Sequence, residues 1–186
     1  MKNNGVFIIT GASQGLGSVI AAHAHQAGFP VALIGRSKAK LAAVEKKLRA
    51  DSKSGPKITS HAVDLTNEKA VRAAFEDIQA AHGATRALVN NAGTWTGGKS
   101  VKQLSRSDMQ ASLDLNFFSA FNATKALLGL KKRTPEVSIV NIGALRHCRA
   151  GKTSLHFVSQ RTHCECFRKV PRASSDPKES MSPISL

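Results

Sequence analysis

The sequence contains no tyrosine and a single tryptophan. No phenol is therefore available as an acid or base anywhere in the chain. Cysteines number three, Cys148, Cys164 and Cys166, all late in the sequence. The Cys164-Glu165-Cys166 run beside His163 lacks a second cysteine pair, so no metal is assigned to it. Acidic residues are scarce: 12 Asp and Glu stand against 27 Lys and Arg, for a net charge of +15. The cations lie along amphipathic segments such as Lys38 to Arg49 and carry no nucleic-acid reader motif, so they read as solvated faces. No apolar run has the length needed to cross a bilayer. The N-terminal residues lack the long apolar region of a secretory signal, so a cytoplasmic protein without membrane or nucleic-acid partners is expected.

What is present is a regular alternation of short apolar runs and amphipathic segments. Strands are expected at residues 6–10, 31–35, 58–63, 87–89 and 137–142. Helices are expected at 15–27, 37–50, 67–81 and 107–130. Ser37 is a plausible N-cap, and Gly28 with Pro30 closes the first helix. Leu41, Val44 and Leu48 recur at helical spacing, as do Val71, Phe75 and Ile78. Such alternation implies a doubly wound α/β fold of Rossmann type, with a parallel sheet covered by helices on both faces. It stops at residue 144. Two regions follow: a dinucleotide-binding domain at 1–144, and an irregular basic tail at 145–186.

The chemistry-bearing motif is Thr10-Gly11-Ala12-Ser13-Gln14-Gly15-Leu16-Gly17, set between the first strand and the first helix. Three glycines alone are weak evidence; three glycines in that context are informative. Gly11 suits a tight turn, Gly15 a close backbone approach to a pyrophosphate, and Gly17 a helix lying near the sheet. The helix N-terminus offers unpaired N–H groups to phosphates. Ser13 adds a hydroxyl. After the second strand come Arg36 and Ser37, where an NAD site usually has an acid for the ribose hydroxyls. A guanidinium fork there suits a 2′-phosphate, which favours NADP over NAD as cofactor. Asp64 and Leu65 follow the third strand, placed to flank an adenine, although Asp64 also reads as a loop or cap residue.

Together these motifs resemble the short-chain dehydrogenase/reductase family. The glycine loop matches the family's Thr-Gly-x-x-x-Gly-x-Gly, and Asn90-Asn91-Ala92-Gly93 matches its Asn-Asn-Ala-Gly. Asp64-Leu65 resembles its adenine-side pair, and Val140-Asn141-Ile142-Gly143 its fifth strand. Asn116 falls where the family keeps an active-site Asn that holds a water in a proton relay. The resemblance covers about the first 145 residues. It implies hydride transfer between a nicotinamide and a carbonyl or alcohol carbon, with a Ser, Tyr and Lys moving the oxygen's proton.

Those three partners are missing. Ala144 occupies the Ser position, and the Tyr and Lys spacing lands near Phe157 and Arg161. The tail looks frameshifted. When each codon's third base is read with the first two of the next, His163/Cys164 encodes only Leu, and Glu165/Cys166 only Val or Met. Residues 175–182 then allow Gly-Pro-Lys-Gly-Ile-His-Val, similar to the family's sixth strand. The sequence therefore predicts a fold truncated after the fifth strand and impaired in catalysis. An inactive dinucleotide-binding fragment is the alternative. A small carbonyl or alcohol is the family's substrate class. The open sheet edge predicts poor solubility or association in place of the family's ordered oligomers.

Overall fold

The computed structural model describes residues 5–52, 55–94, 101–130 and 137–143. Ala144, Phe157, Arg161, the cysteines and the whole expected tail lie outside the described residues, as does Trp95. The elements in order are β1 (Val6–Thr10), α1 (Gly15–Gln26), β2 (Val31–Gly35), α2 (Lys38–Asp51), β3 (Ile58–Ala62) and α3 (Glu68–His82). Then come β4 (Thr85–Asn90), a short 3-10 turn (Val101–Gln103), α4 (Arg106–Leu113), a π turn (Asp114–Phe118), α5 (Ser119–Gly129) and β5 (Ser138–Asn141).

The strands form one parallel sheet in the order β3-β2-β1-β4-β5. This is the Rossmann arrangement expected from the alternation. All five residues of β2 are buried, because helices cover both of its faces. Successive side chains along a strand point to opposite faces, so β1 and β2 feed two cores. Ile8 and Ile34 pack with Phe75, Ile78 and Leu127 under α3 and α5. Ile9 and Leu33 pack with Ala21, Leu41 and Leu48 under α1 and α2.

Local signals in the sequence set the helix starts. Ser37 caps α2 by accepting Lys40 N, and Asn67 caps α3 by accepting Ala70 N at 3.1 Å. Ser105 and Asp108 form a reciprocal capping box on α4. The expected long helix over 107–130 differs in its bounds and its continuity, and it ends at Gly129. It starts at Arg106 and carries a π turn at Asp114–Phe118 between α4 and α5. A π turn widens the backbone spiral locally and re-aims the side chains on it. Asn116 sits at its centre.

The chain runs outward from β1 through β2 to β3, then returns to place β4 on the other side of β1. That reversal opens a crevice beyond the carboxyl ends of β1 and β4, where open α/β sheets take ligands.

Candidate functional site

A cleft of about 330 Å³ occupies this switch point. Its floor is the glycine loop at Gly11, Ser13 and Gly15. Gly35, Arg36 and Asp64 form one side, and Asn91, Ala92 and Gly93 the other.

The glycines divide the work as their surroundings dictate. Gly11 has φ +65°, and a Cβ there would lie 2.9 Å from Ala92 Cα. Gly17 has an ordinary φ, yet a Cβ would run into the Gly11 carbonyl and come 2.5 Å from Asn91 Nδ2. It is the close approach of α1 to the loop that requires glycine at this position. Gly15 has φ +57°, and a Cβ built on it would meet nothing within 4 Å. The space above Gly15 is open cleft. The N-cap residue of α1, Gln14, makes no side-chain cap bond, and the first turn carries no acid. The N–H groups of that turn and the positive end of the helix dipole thus face the cleft without a protein anion or cap, as a phosphate site requires.

Beneath the loop, Thr10 and Asn91 tie β1 to β4. Thr10 Oγ1 donates to Val89 O at 3.2 Å and accepts from Asn91 N and Ala92 N, each at 3.0 Å. Asn91 Nδ2 donates to Thr10 O at 3.0 Å. Asn90 turns the other way. It is buried, and its Nδ2 donates to Asn141 Oδ1 at 2.9 Å and to Thr124 Oγ1 at 3.2 Å. Thr10, Gly17 and Asn90 therefore support the cleft from below, whereas Ser13, Gln14, Gly15, Leu16 and Gly93 line it. Leu16 is 54% exposed at its mouth.

At the end of β2, Arg36 is exposed and lines the cleft. Ser37 uses its oxygen to cap α2 and is not part of the lining. Asp64 Oδ1 accepts from both Thr66 N (3.0 Å) and Thr66 Oγ1 (2.8 Å). Those two bonds, with the Arg36 charge adding to them, hold its carboxyl below the usual range. Leu65 is buried against the sheet core, and its carbonyl accepts Asn122 Nδ2 at 2.9 Å. Asp64 and Leu65 do border the cleft, with Asp64 fixed as a loop-closing residue as well. Val63, Thr66, Thr94, Leu115 and Ser119 also line it. They come from segments brought together only by the fold, and no local pattern marks them.

Asn116 is joined to this wall. Its Oδ1 accepts Thr94 N at 3.0 Å, and its Nδ2 donates to Ser112 O at 3.0 Å. Its Oδ1 ties the segment after β4 to the π turn, while its Nδ2 bonds back to α4.

A family model described as short chain dehydrogenase matches residues 5–154, from the start of β1 to beyond β5. The chain belongs to that family. Among the curated relatives of this chain, a 3beta-hydroxysteroid dehydrogenase of Mediterraneibacter gnavus is 29% identical over 156 residues. That match covers 84% of this chain and 55% of the relative. Carbonyl reductase [NADPH] 3 of Rattus norvegicus is 29% identical over 163 residues, covering 86% and 56% of the two chains. A solved actinorhodin polyketide ketoreductase with NADPH superposes with a TM-score of 0.70 at 25% identity, over 77% of this chain and 54% of its own. The chain spans about half the length of the curated relatives it matches. No helix among the described residues is long and apolar enough to cross a membrane.

Proposed function

We propose that the cleft binds NADP(H), and that the family chemistry of its lineage is hydride transfer to or from a small carbonyl or alcohol. One observation carries the cofactor reading: Arg36 lines the same cleft as the uncapped N-terminus of α1, with no acid at the end of β2. In a NAD site an acid at that point would hold the ribose hydroxyls; here a guanidinium favours the extra phosphate. The NADPH named with the rat carbonyl reductase and the polyketide ketoreductase supports the same cofactor. Bound NADP(H) would supply or accept the hydride. The chain's own residues would hold its phosphates at Gly15 and Arg36 and position its far half against the Gly93–Thr94 segment that Asn116 anchors.

The 186-residue chain is read as catalytically impaired, because its sequence has no tyrosine to move the substrate proton. Out-of-frame sequence after residue 144 would account for the unmatched Ser and Lys positions, whereas the shifted frame reads only Phe or Leu at the Tyr position. The alternative, a dinucleotide-binding fragment with no enzymatic function, makes the same binding prediction. Fluorescence titration of the full chain with NADPH and NADH tests the cofactor. Tighter binding of NADPH is expected, and equal or weaker binding than NADH overturns it. A turnover assay with NADPH and a panel of aldehydes and ketones tests the rest. Consumption of NADPH with any of them would refute the impairment.

A further inference from the structure

Thr59 on β3 holds its hydroxyl between two imidazoles. Its Oγ1 lies 2.9 Å from His82 Nε2 and 3.0 Å from His61 Nε2. His61 stands two residues on from Thr59, so both project from one face of the strand. His82 is the last residue of α3, which returns along β3. Lys57, just before β3, donates to Ala81 O at 2.8 Å at the same corner. The end of α3 is thus bound to the outermost strand of the described sheet. Residues 63–67 join β3 to α3, and four of them, Val63, Asp64, Leu65 and Thr66, line the cleft. How α3 lies on β3 therefore sets the position of that wall.

A count of hydrogens shows what the cluster can hold. A hydroxyl has one hydrogen, so Thr59 donates to one imidazole and accepts from the other. His82 Nδ1 is buried and has no hydrogen-bond partner. A hydrogen placed there would be an orphaned donor, which folded chains avoid. The arrangement without one has His82 Nε2–H donating to Thr59 and the Thr59 hydroxyl donating to His61 Nε2. A further proton then has no place. On His82 it falls on the buried Nδ1. On His61 it falls on Nε2 and meets the Thr59 hydrogen, so the hydroxyl must turn away. Lys57 and the second imidazole oppose a charge on His82, and only Asp77 of α3 favours one on His61. Glu45 and Arg49 of α2 are engaged on the opposite face of β3, with Ser60 and the Ile58 carbonyl.

We propose that the Thr59 hydroxyl shared by His61 and His82 is a proton-operated latch: protonation of the pair frees the end of α3 from β3, loosens the 63–66 wall of the cleft and weakens dinucleotide binding. The effect on binding rests on the dinucleotide reading of the cleft and adds a regulation to it. Imidazoles released from the cluster take up protons below their ordinary value of 6.5. The latch therefore holds fully above that pH and weakens as pH falls below it. Linkage makes the coupling reciprocal, so a bound dinucleotide that orders the wall opposes proton uptake at the far end of α3.

The test titrates the full chain and the double variant His61→Gln/His82→Gln with NADPH at pH 7.5 and pH 5.5. The 2′-phosphate of NADPH itself titrates near this range, so the quantity read is the ratio of parent to variant at each pH. On acidification the parent is expected to lose roughly fivefold more affinity than the double variant, an ordinary coupling between two sites. Equal losses overturn the latch. Hydrogen exchange of the parent supplies a second measurement that needs neither a variant nor a ligand. After correction for intrinsic rates, protection at pH 5.5 should fall in β3 and the last turn of α3 while β1 and β4 keep theirs. A uniform fall across the sheet, or none, overturns the latch. If the parent binds neither NADPH nor NADH at pH 7.5, the reading of the cleft fails, and exchange still decides whether the latch exists.

Discussion

Asn91 fastens the glycine loop to the fourth strand by giving its side-chain amide to the Thr10 carbonyl at 3.0 Å, while the Thr10 hydroxyl receives the Asn91 backbone N–H. Two neighbouring strands of the sheet are thus cross-bonded at the point where the topology opens a cleft. The exchange fixes the height of the loop above the sheet, and the space available to a phosphate follows from it.

Thr10→Val tests that coupling. Valine keeps the shape but removes an acceptor shared by Asn91 N and Ala92 N and the donor to Val89 O, at a side chain that is 1% exposed. Stability should fall by about 1 kcal/mol, the usual net worth of a side-chain hydrogen bond, because Asn91 N keeps Val89 O as a second acceptor. A urea unfolding midpoint equal to the parent's would show that the bonds contribute nothing net.

Gly17→Ala and Gly15→Ala should separate two reasons for glycine. At Gly17 the added methyl meets the Gly11 carbonyl and Asn91 Nδ2, so α1 must shift, at about 1–3 kcal/mol of overpacking and with loss of dinucleotide binding. At Gly15 the methyl meets no atom, and the cost is the left-handed backbone alone, about 1–2 kcal/mol. Gly15→Ala should also weaken NADPH, because the methyl enters the open cleft. Equal effects of the two variants on thermal stability with no effect on binding would contradict this division.

Arg36→Asp should reverse the dinucleotide preference. The acid would repel a 2′-phosphate and could accept from ribose hydroxyls, so NADH should bind more tightly than NADPH in fluorescence titration. Removal of a charge-assisted pair, with repulsion added, should cost NADPH upwards of roughly tenfold. An unchanged ratio would place the phosphate elsewhere.

Acid should destabilise the fold through His82. Its Nε2 lies 2.9 Å from Thr59 Oγ1, which also lies 3.0 Å from His61 Nε2. Burial, then the charges of Lys57 and His61, lower the His82 pKa from 6.5 to about 4. Above pH 6.5 the residue is neutral whether folded or unfolded. Between 6.5 and about 4 the unfolded chain takes up a proton that the folded state resists, so stability is lost across that window as pH falls. Burial lowers the His61 pKa too, against the pull of Asp77, and acts in the same direction. After allowance for solvent screening at a partly exposed ring, the loss is on the order of 1–2 kcal/mol. In urea unfolding at pH 7 and pH 5, His82→Gln should show a smaller drop than the parent; an equal drop would assign the effect to other groups.

The coding nucleic acid tests the origin of residues 145–186. The shifted frame should read through beyond residue 186 into a strand-like continuation. A stop codon immediately after that position in the shifted frame would rule the frameshift out.

The sequence by itself determined the order of elements, the parallel sheet, both helix-facing cores and the position of the cleft. The physical reason is that periodic burial, capping residues and glycines act over a few neighbouring positions. Ser37, Asn67 and Gly11 do locally what their residue types suggest. The lack of tyrosine was equally plain, since composition needs no fold. Tertiary structure alone decided which motif residues face the cleft. Asn90 and Asn91 are adjacent in sequence, yet one is buried toward Asn141 and the other grips the glycine loop, because β4 ends at Asn90 and Asn91 already belongs to the segment that leaves the sheet beside that loop. It also decided that Asn116 anchors Thr94 from a π turn, which helical periodicity over 107–130 does not reveal. The Lys40–Gln14 bond spans 26 positions. Only the packing of α2 beside the glycine loop brings that surface lysine, one among many in this basic chain, to Gln14.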